Sequence, residues 1–212
     1  MTTRAMAKRG CDIALSAVGI VLLTPVWILV ALAIRLGDGG SILFKQERIG
    51  RGGIPFRIWK FRTMVPDAQR LGLSVTAGHD PRITQIGRWL RRYKLDELPQ
   101  LANVLCGDMS LVGPRPEVPR YVALYTPTQR RVLCYVPGVT DPASLEFRNE
   151  EELLAGAENV EKFYVEYCIP RKIELNLAYA DRATLLGDMA IIARTLCSLL
   201  SSANRSHWTG LS

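Results

Sequence analysis

From residue 13 to residue 34 the chain reads IALSAVGIVLLTPVWILVALAI, 22 residues without a charge. As one continuous helix this run is about 33 Å long, enough to cross the hydrocarbon core of a bilayer. A membrane helix is therefore the first expectation. A secretory signal has a shorter apolar stretch closed by a small-residue cleavage site, whereas this run continues straight into Arg35, so the segment is expected to stay attached. Two features work against a simple span. Pro25, near the middle, deletes a helical hydrogen bond and clashes with the preceding turn, although the Thr24 hydroxyl can serve a freed carbonyl. Positive charge also flanks the run on both sides, with Arg4, Lys8 and Arg9 before it and Arg35, Lys45, Arg48 and Arg51 after it, which places both ends in the cytoplasm. Two readings stay open: a re-entrant hairpin bent at Thr24 and Pro25, and an ordinary kinked span.

The remaining length suits one soluble domain. Hydrophobic residues at 48% and charged residues at 22% exclude wholesale disorder. We divide the chain into a membrane anchor over 1–36, a catalytic domain on the cytosolic face over 37–200 and a tail over 201–212. Lys and Arg number 27 against 20 Asp and Glu, a net +7, which calls for an anionic partner: phosphate, nucleic acid or a lipid surface. Charge alone does not choose among these. No nucleic-acid-reading motif or aromatic-rich basic platform is present, and an apolar anchor suits such a role badly, so no nucleic acid is expected. The five cysteines, Cys11, Cys106, Cys134, Cys168 and Cys197, form no CxxC pair and read as free, mostly packed thiols in a reducing compartment.

The expected fold class is α+β and mostly helical. Residues 41–48 and 54–61 are β-rich runs separated by a glycine-rich turn, which predicts a small β-hairpin packed on helices. In its second run Phe56, Ile58, Lys60 and Arg62 share one face, and Arg57, Trp59 and Phe61 the other. Residues 65–82 read as a surface excursion around a short helix, with His79 in a turn. A basic amphipathic helix is expected over 83–94 and a short helix over 99–105, started by Pro99 and ended at Gly107. Beyond Gly113, repeated prolines favour loops between short helices. Helices are expected over 150–167 and 171–179, broken at Pro170, and an amphipathic helix carrying Leu185, Met189, Ile192, Leu196 and Leu199 either packs on the domain or lies on a membrane surface.

Chemistry concentrates at Asp96 and Glu97. Pro99 is expected to interrupt the helix there by disfavouring helical geometry at Leu98, leaving both carboxylates beside unpaired N–H groups that attract phosphate. Arg88, Arg91, Arg92 and Lys94 lie upstream and Arg115 downstream. Carboxylates among arginines at a helix start can bind a divalent cation and a phosphorylated substrate together, and one can attack phosphorus. An acidic pair in a first turn also has the plainer role of complementing the helix dipole. Pro114 and Pro116 stiffen the backbone around Arg115, so its guanidinium loses little freedom on meeting a phosphate. Lys60 and Arg62 can add positive charge from the hairpin.

The apolar segment with its central proline, WKFRTM at 59–64, LDELPQLANVLCGDMSLVGPRP at 95–116 and PGVT at 137–140 occur in that order. This pattern resembles the bacterial sugar transferase family, monotopic phosphoglycosyl transferases that begin glycan assembly on a polyprenol carrier. The resemblance implies transfer of a phosphosugar from a UDP-sugar to undecaprenyl phosphate with release of UMP, with magnesium as cofactor. Asp96 matches the nucleophile that becomes a covalent phosphosugar ester, and Glu97 its partner; the same pair would hold the metal. Arg91 and Arg115 match substrate-binding arginines, and Lys60 and Arg62 the basic positions of the family's K-F-[KR]-[ST]-M run. Family anchors are re-entrant with both ends cytoplasmic, which favours the hairpin reading hinged at Thr24 and Pro25 and makes the protein a monotopic resident of the bacterial inner membrane, with amphipathic interfacial helices. Two kinetic half-reactions at one carboxylate imply a ping-pong order. After PGVT many members continue with Gly, Trp, Ala and Gln, whereas Asp141, Pro142, Ala143 and Ser144 stand here, so the sugar is left open. A homodimer also stays open. The alternatives are a membrane-anchored phosphohydrolase using the same dyad, or a lipid- or partner-binding module without transferase activity.

Overall fold

The computed structural model describes residues 3–66, 68 and 80–205. The expected tail over 201–212 divides: the last helix runs on to Arg205, and 206–212 lie outside the described residues, as do His79 and most of the predicted excursion over 65–82. The apolar segment forms one unbroken helix, α1 (Thr3–Asp38), which continues through Pro25. The Thr24 hydroxyl donates to the Ile20 carbonyl at 2.8 Å, one residue before the carbonyl that Pro25 leaves unmatched. α1 is long and apolar enough to cross a membrane, and only 11% of its most apolar window is buried.

The predicted hairpin is present as β1 (Leu43–Ile49) and β2 (Pro55–Phe61), antiparallel with Gln46 opposite Ile58. Gly52 and Gly53 take φ of 73° and 78° in the turn. The alternation along β2 serves two cores. Ile58 packs with Val104 and Met109, whereas Phe61 packs with Val30 and Ile34 of α1 and with Leu90. Both faces read as mixed because each is covered by a different helix. Leu90 belongs to α2 (Gln85–Arg92), which Thr84 caps by accepting the Gly87 N–H at 2.9 Å. A Cβ on Gly87 would stand 2.0 Å from the Thr63 carbonyl oxygen, so α2 lies directly on the chain leaving β2 and tolerates no larger residue there.

The short helix after the acidic pair is α3 (Gln100–Cys106), ended by Gly107 at φ 96°. Asn103 joins it to the outer edge of β2: its Oδ1 accepts the Trp59 N–H at 3.0 Å and its Nδ2 donates to the Arg57 carbonyl at 2.8 Å. β3 (Ser110–Val112) and β4 (Gly138–Thr140) form a two-stranded parallel sheet, β4 falling in the stretch beyond Gly113 expected to hold loops between short helices. Three-residue strands are too short to show a period of two. Gly113 and Gly138 make the pairing feasible, since a Cβ on Gly138 would fall 2.1 Å from the Gly113 nitrogen.

α4 (Pro119–Val122), α5 (Pro142–Glu146), α6 (Glu150–Ala155) and α7 (Val160–Phe163) follow. Together with α8 (Ile169–Ala180) they enclose a core around Tyr121, Leu154, Tyr164 and Cys168. Pro170 does not break this region. A single wide π turn over Tyr164–Cys168 leads directly into α8, and the helical path runs on through Pro170. The interruption falls instead between α6 and α7, where Asn159 caps the new helix through the Lys162 N–H at 2.9 Å. The amphipathic C-terminal helix is α9 (Leu185–Arg205), with Ile191 buried and Leu186 and Leu196 exposed. Cys168 alone among the cysteines is buried; the other four are exposed, contrary to the expected packing.

Asn103→Ala is expected to destabilise the detergent-solubilised protein by about 2–3 kcal/mol in thermal or urea unfolding, because the Trp59 N–H and the Arg57 carbonyl lose their partner.

Candidate active site

Lys94 sets the geometry of the acidic pair. It is the one non-glycine residue with positive φ among the described residues, at 54°, and it ends α2 in a left-handed turn. The chain then makes a 3-10 turn over Leu95–Glu97 before α3. The break therefore lies upstream of the pair, while Leu98 keeps helical geometry in spite of Pro99. Two amides of the turn are paired: the Glu97 and Leu98 N–H groups donate to the Lys94 and Leu95 carbonyls at 3.3 Å each.

The two carboxylates are differently placed. Glu97 is gripped from two sides: Lys60 Nζ donates to Oε1 at 3.1 Å, and the Arg115 guanidinium makes a two-pronged contact, with Nη1 on Oε2 at 3.0 Å and Nη2 on Oε1. Asp96 is 6% exposed, and its Oδ1 is buried without a hydrogen-bond partner. Their ionisation diverges accordingly. Burial, and then the neighbouring Glu97 charge, push the Asp96 carboxyl above the ordinary value. Burial acts on Glu97 in the same sense, but the Arg115 and Lys60 charges outweigh it and hold that carboxyl well below the usual range. Burial lowers the Lys60 ammonium, and the Glu97 charge opposes that shift.

The predicted cations fall into two sets. Lys60 and Arg115 meet on Glu97. Arg91, one turn beyond Gly87, donates from Nε to Thr63 Oγ1 at 3.0 Å and pairs with Glu151 at 3.1 Å, joining α2 to α6. Its charge still favours the ionised form of Asp96. The Arg62 guanidinium lies over Gly40, where α1 leads into the hairpin. All four line one large cleft of about 2010 Å³ with Asp96 and Glu97.

Asp141 was missed as a site residue. Fully buried at the end of β4, it accepts the Arg115 N–H at 2.8 Å and caps α5 through the Ser144 N–H at 2.6 Å. Burial raises its carboxyl, and these two N–H groups with the Arg115 charge oppose the shift. The sequence signal was available, since Asp followed by Pro is a cap and a first helical residue. Arg48 holds the other end of the same loop, donating to the Pro116 carbonyl and to Glu117 at 3.1 Å each. Arg115 is thus fixed by hydrogen bonds beyond the two prolines.

The residues fit a magnesium ion in part. No cluster of three metal-binding side chains occurs among the described residues. Magnesium commonly keeps several waters and takes one or two carboxylates plus substrate phosphate, and the unpartnered Asp96 Oδ1 beside Glu97 meets that need.

Opposite stability effects are expected from the two carboxylates. Glu97→Gln leaves Lys60 and Arg115 without their counter-charge and should cost about 3 kcal/mol. Asp96→Asn removes a buried carboxyl with no cationic bond and should stabilise by about 1 kcal/mol, read from unfolding midpoints at pH 7. The Glu97 contribution, coming from a depressed carboxyl, is present above its unfolded-state value and is lost as pH falls through the folded one.

Comparison with known proteins gives the family. The family model described as bacterial sugar transferase matches residues 3–202. The UDP-glucose:undecaprenyl-phosphate glucose-1-phosphate transferase of Caulobacter vibrioides is 38% identical over 210 residues, covering 94% of this chain and 72% of that protein. The galactosyl transferase CpsE of Streptococcus agalactiae is 36% identical over 90% of this chain, which spans only 41% of that relative. The exopolysaccharide production protein ExoY of Rhizobium meliloti is 32% identical over 90% of this chain and 84% of its own length. With the match running from the start of α1 almost to the end of α9 and taking in the whole Asp96 site, the chain belongs to the bacterial sugar transferase family.

Proposed function

We propose that this phosphoglycosyl transferase moves a phosphosugar from a UDP-sugar to undecaprenyl phosphate, the first membrane step of a bacterial glycan pathway. The observation that carries the reading is the unequal pair. Asp96 lines the cleft and its Oδ1 has no hydrogen-bond partner, while Glu97 is tied to Lys60 and Arg115. A nucleophile needs an unengaged lone pair; its neighbour keeps the cations in place. Asp96 attacks the phosphorus that bears the sugar, a P–O(Asp96) bond forms, and the bond to the UMP oxygen breaks with its electron pair on UMP. An oxygen of the acceptor phosphate then attacks the same phosphorus. The P–O(Asp96) bond breaks, and the carboxylate is restored. Exchange of one phosphate anhydride for another is nearly isoenergetic, so positioning and charge neutralisation supply the catalysis. Arg115, pre-set by Asp141, and Lys60 provide positive charge beside the transferred group. Magnesium, when held by Asp96 with Glu97, would add charge neutralisation on the diphosphate.

The anchor is read as re-entrant or interfacial, placing the domain on the cytoplasmic face of the inner membrane. Two sets of contacts support this. Near its start α1 sends Arg9 to the Val104 and Leu105 carbonyls at 2.5 and 2.9 Å, and near its end Val30 and Ile34 pack on Phe61 and Leu90. A helix held by one domain at both ends does not carry those ends to opposite sides of a bilayer. Its other face exposes Val21, Leu22, Leu29 and Leu32, as lipid contact requires.

UMP release from a panel of UDP-sugars, with and without undecaprenyl phosphate, tests the reaction. Turnover should require the lipid and fall by at least about 1000-fold in Asp96→Asn, the scale expected on losing a covalent nucleophile. Donor hydrolysis without lipid would instead indicate a phosphohydrolase. Because attack requires ionised Asp96 and burial raises its pKa, the rate of the donor half-reaction should fall on acidification with a midpoint above that of an exposed aspartate.

A further inference from the structure

The cleft that holds the dyad is apolar along one side. Leu15, Gly19 and Leu23 of α1, spaced one turn apart, line it. So do Leu196 and Leu199 of α9. Both helices pack on β3, and Leu111 of that strand forms part of the same lining between them. Polar bonds tie the two helices to each other and to the small sheet. Lys8 Nζ donates to Asp188 Oδ2 at 2.5 Å, tying α1 to α9. Asp12 Oδ1 accepts the Leu111 N–H at 3.1 Å, and the Thr140 and Thr195 hydroxyls bond at 2.7 Å. Asp12 and Asp188, at 6% and 4% exposure, are buried at these ties, where their bonds offset the cost of burial.

The lining leads to the chemistry. A Cβ on Gly19 would stand 3.3 Å from Leu101 Cδ1, so α1 and α3 meet closely there. Leu101 and Leu98 line the same cleft as Asp96, Lys60 and Arg115. From Leu15 to Leu23 the wall rises about 12 Å, room for a few isoprene units. A groove with an apolar wall on a lipid-facing helix and a cationic end suits an amphiphile with an apolar chain and an anionic phosphate head. The geometry points to this α1–α9 groove as the seat of the acceptor's polyprenyl chain, which it orients so that the phosphate arrives at Asp96. This inference rests on the transferase reading. It gives α1 and α9 a part in substrate binding in addition to anchoring.

Two measurements on the full chain in detergent test it. A farnesyl phosphate bearing a diazirine on its chain should label peptides of α1 and α9, with protection by undecaprenyl phosphate and none by phosphatidylglycerol at equal concentration. Labelling confined to other elements would overturn the inference, as would equal protection by phosphatidylglycerol, which would mark a general lipid seat. Leu15→Trp and Leu196→Trp, which fill the groove from either wall, should each raise the acceptor KM about tenfold while the UDP-sugar KM moves less than about twofold, the size expected from displacing one or two buried methylene contacts. Acceptor and donor KM moving together, or neither moving, would also overturn it. If the parent protein releases no UMP from any donor, the transferase reading fails, and the labelling pattern still decides where an isoprenoid phosphate binds.

Discussion

The ion cluster on Glu97 holds the active cleft together. It draws on three segments distant in sequence: Lys60 from β2, Glu97 from the turn before α3 and Arg115 from the loop after β3. Both cations are partly withdrawn from water, and the shared carboxylate offsets that cost. Asp141 extends the cluster through the Arg115 backbone to β4 and α5, so the two small sheets are coupled through one salt-bridged centre.

That centre leaves its other carboxylate unsatisfied. Asp96 and Glu97 are adjacent carboxyls, the first buried and the second half-buried, yet they are driven in opposite directions because the cations bond only one of them. Pairs of titratable groups separated in this way commonly divide the tasks of a reaction. Here one carboxylate keeps an oxygen without a partner and the other is held by two cations. The left-handed turn at Lys94 produces the asymmetry by bringing the pair out of α2 on a 3-10 turn.

The anchor is part of the same construction. Arg9 caps the carbonyls at the C-terminal end of α3, the helix whose opposite end follows the dyad, and Lys8 reaches both the Val112 carbonyl and Asp188. Cationic residues that read from the sequence as topology signals thus also work as tertiary bonds. Their placement fixes the height of Asp96 relative to the apolar face of α1, which matters for any reaction on a phosphate held at a lipid surface.

The sequence alone determined the apolar helix, the hairpin and its register of faces and the two helices flanking the acidic pair, because each is encoded by local periodicity or turn residues. It did not show that Arg91 turns to Thr63 and Glu151 while Lys60 and Arg115 take Glu97, because side-chain pairing depends on which elements pack together. Nor did it reveal the β3–β4 pairing, the continuity through Pro170 or the role of Asp141. Those depend on contacts made across the chain, such as the close approach of Gly113 and Gly138, whose effect exists only once distant segments are brought within a few ångströms of each other.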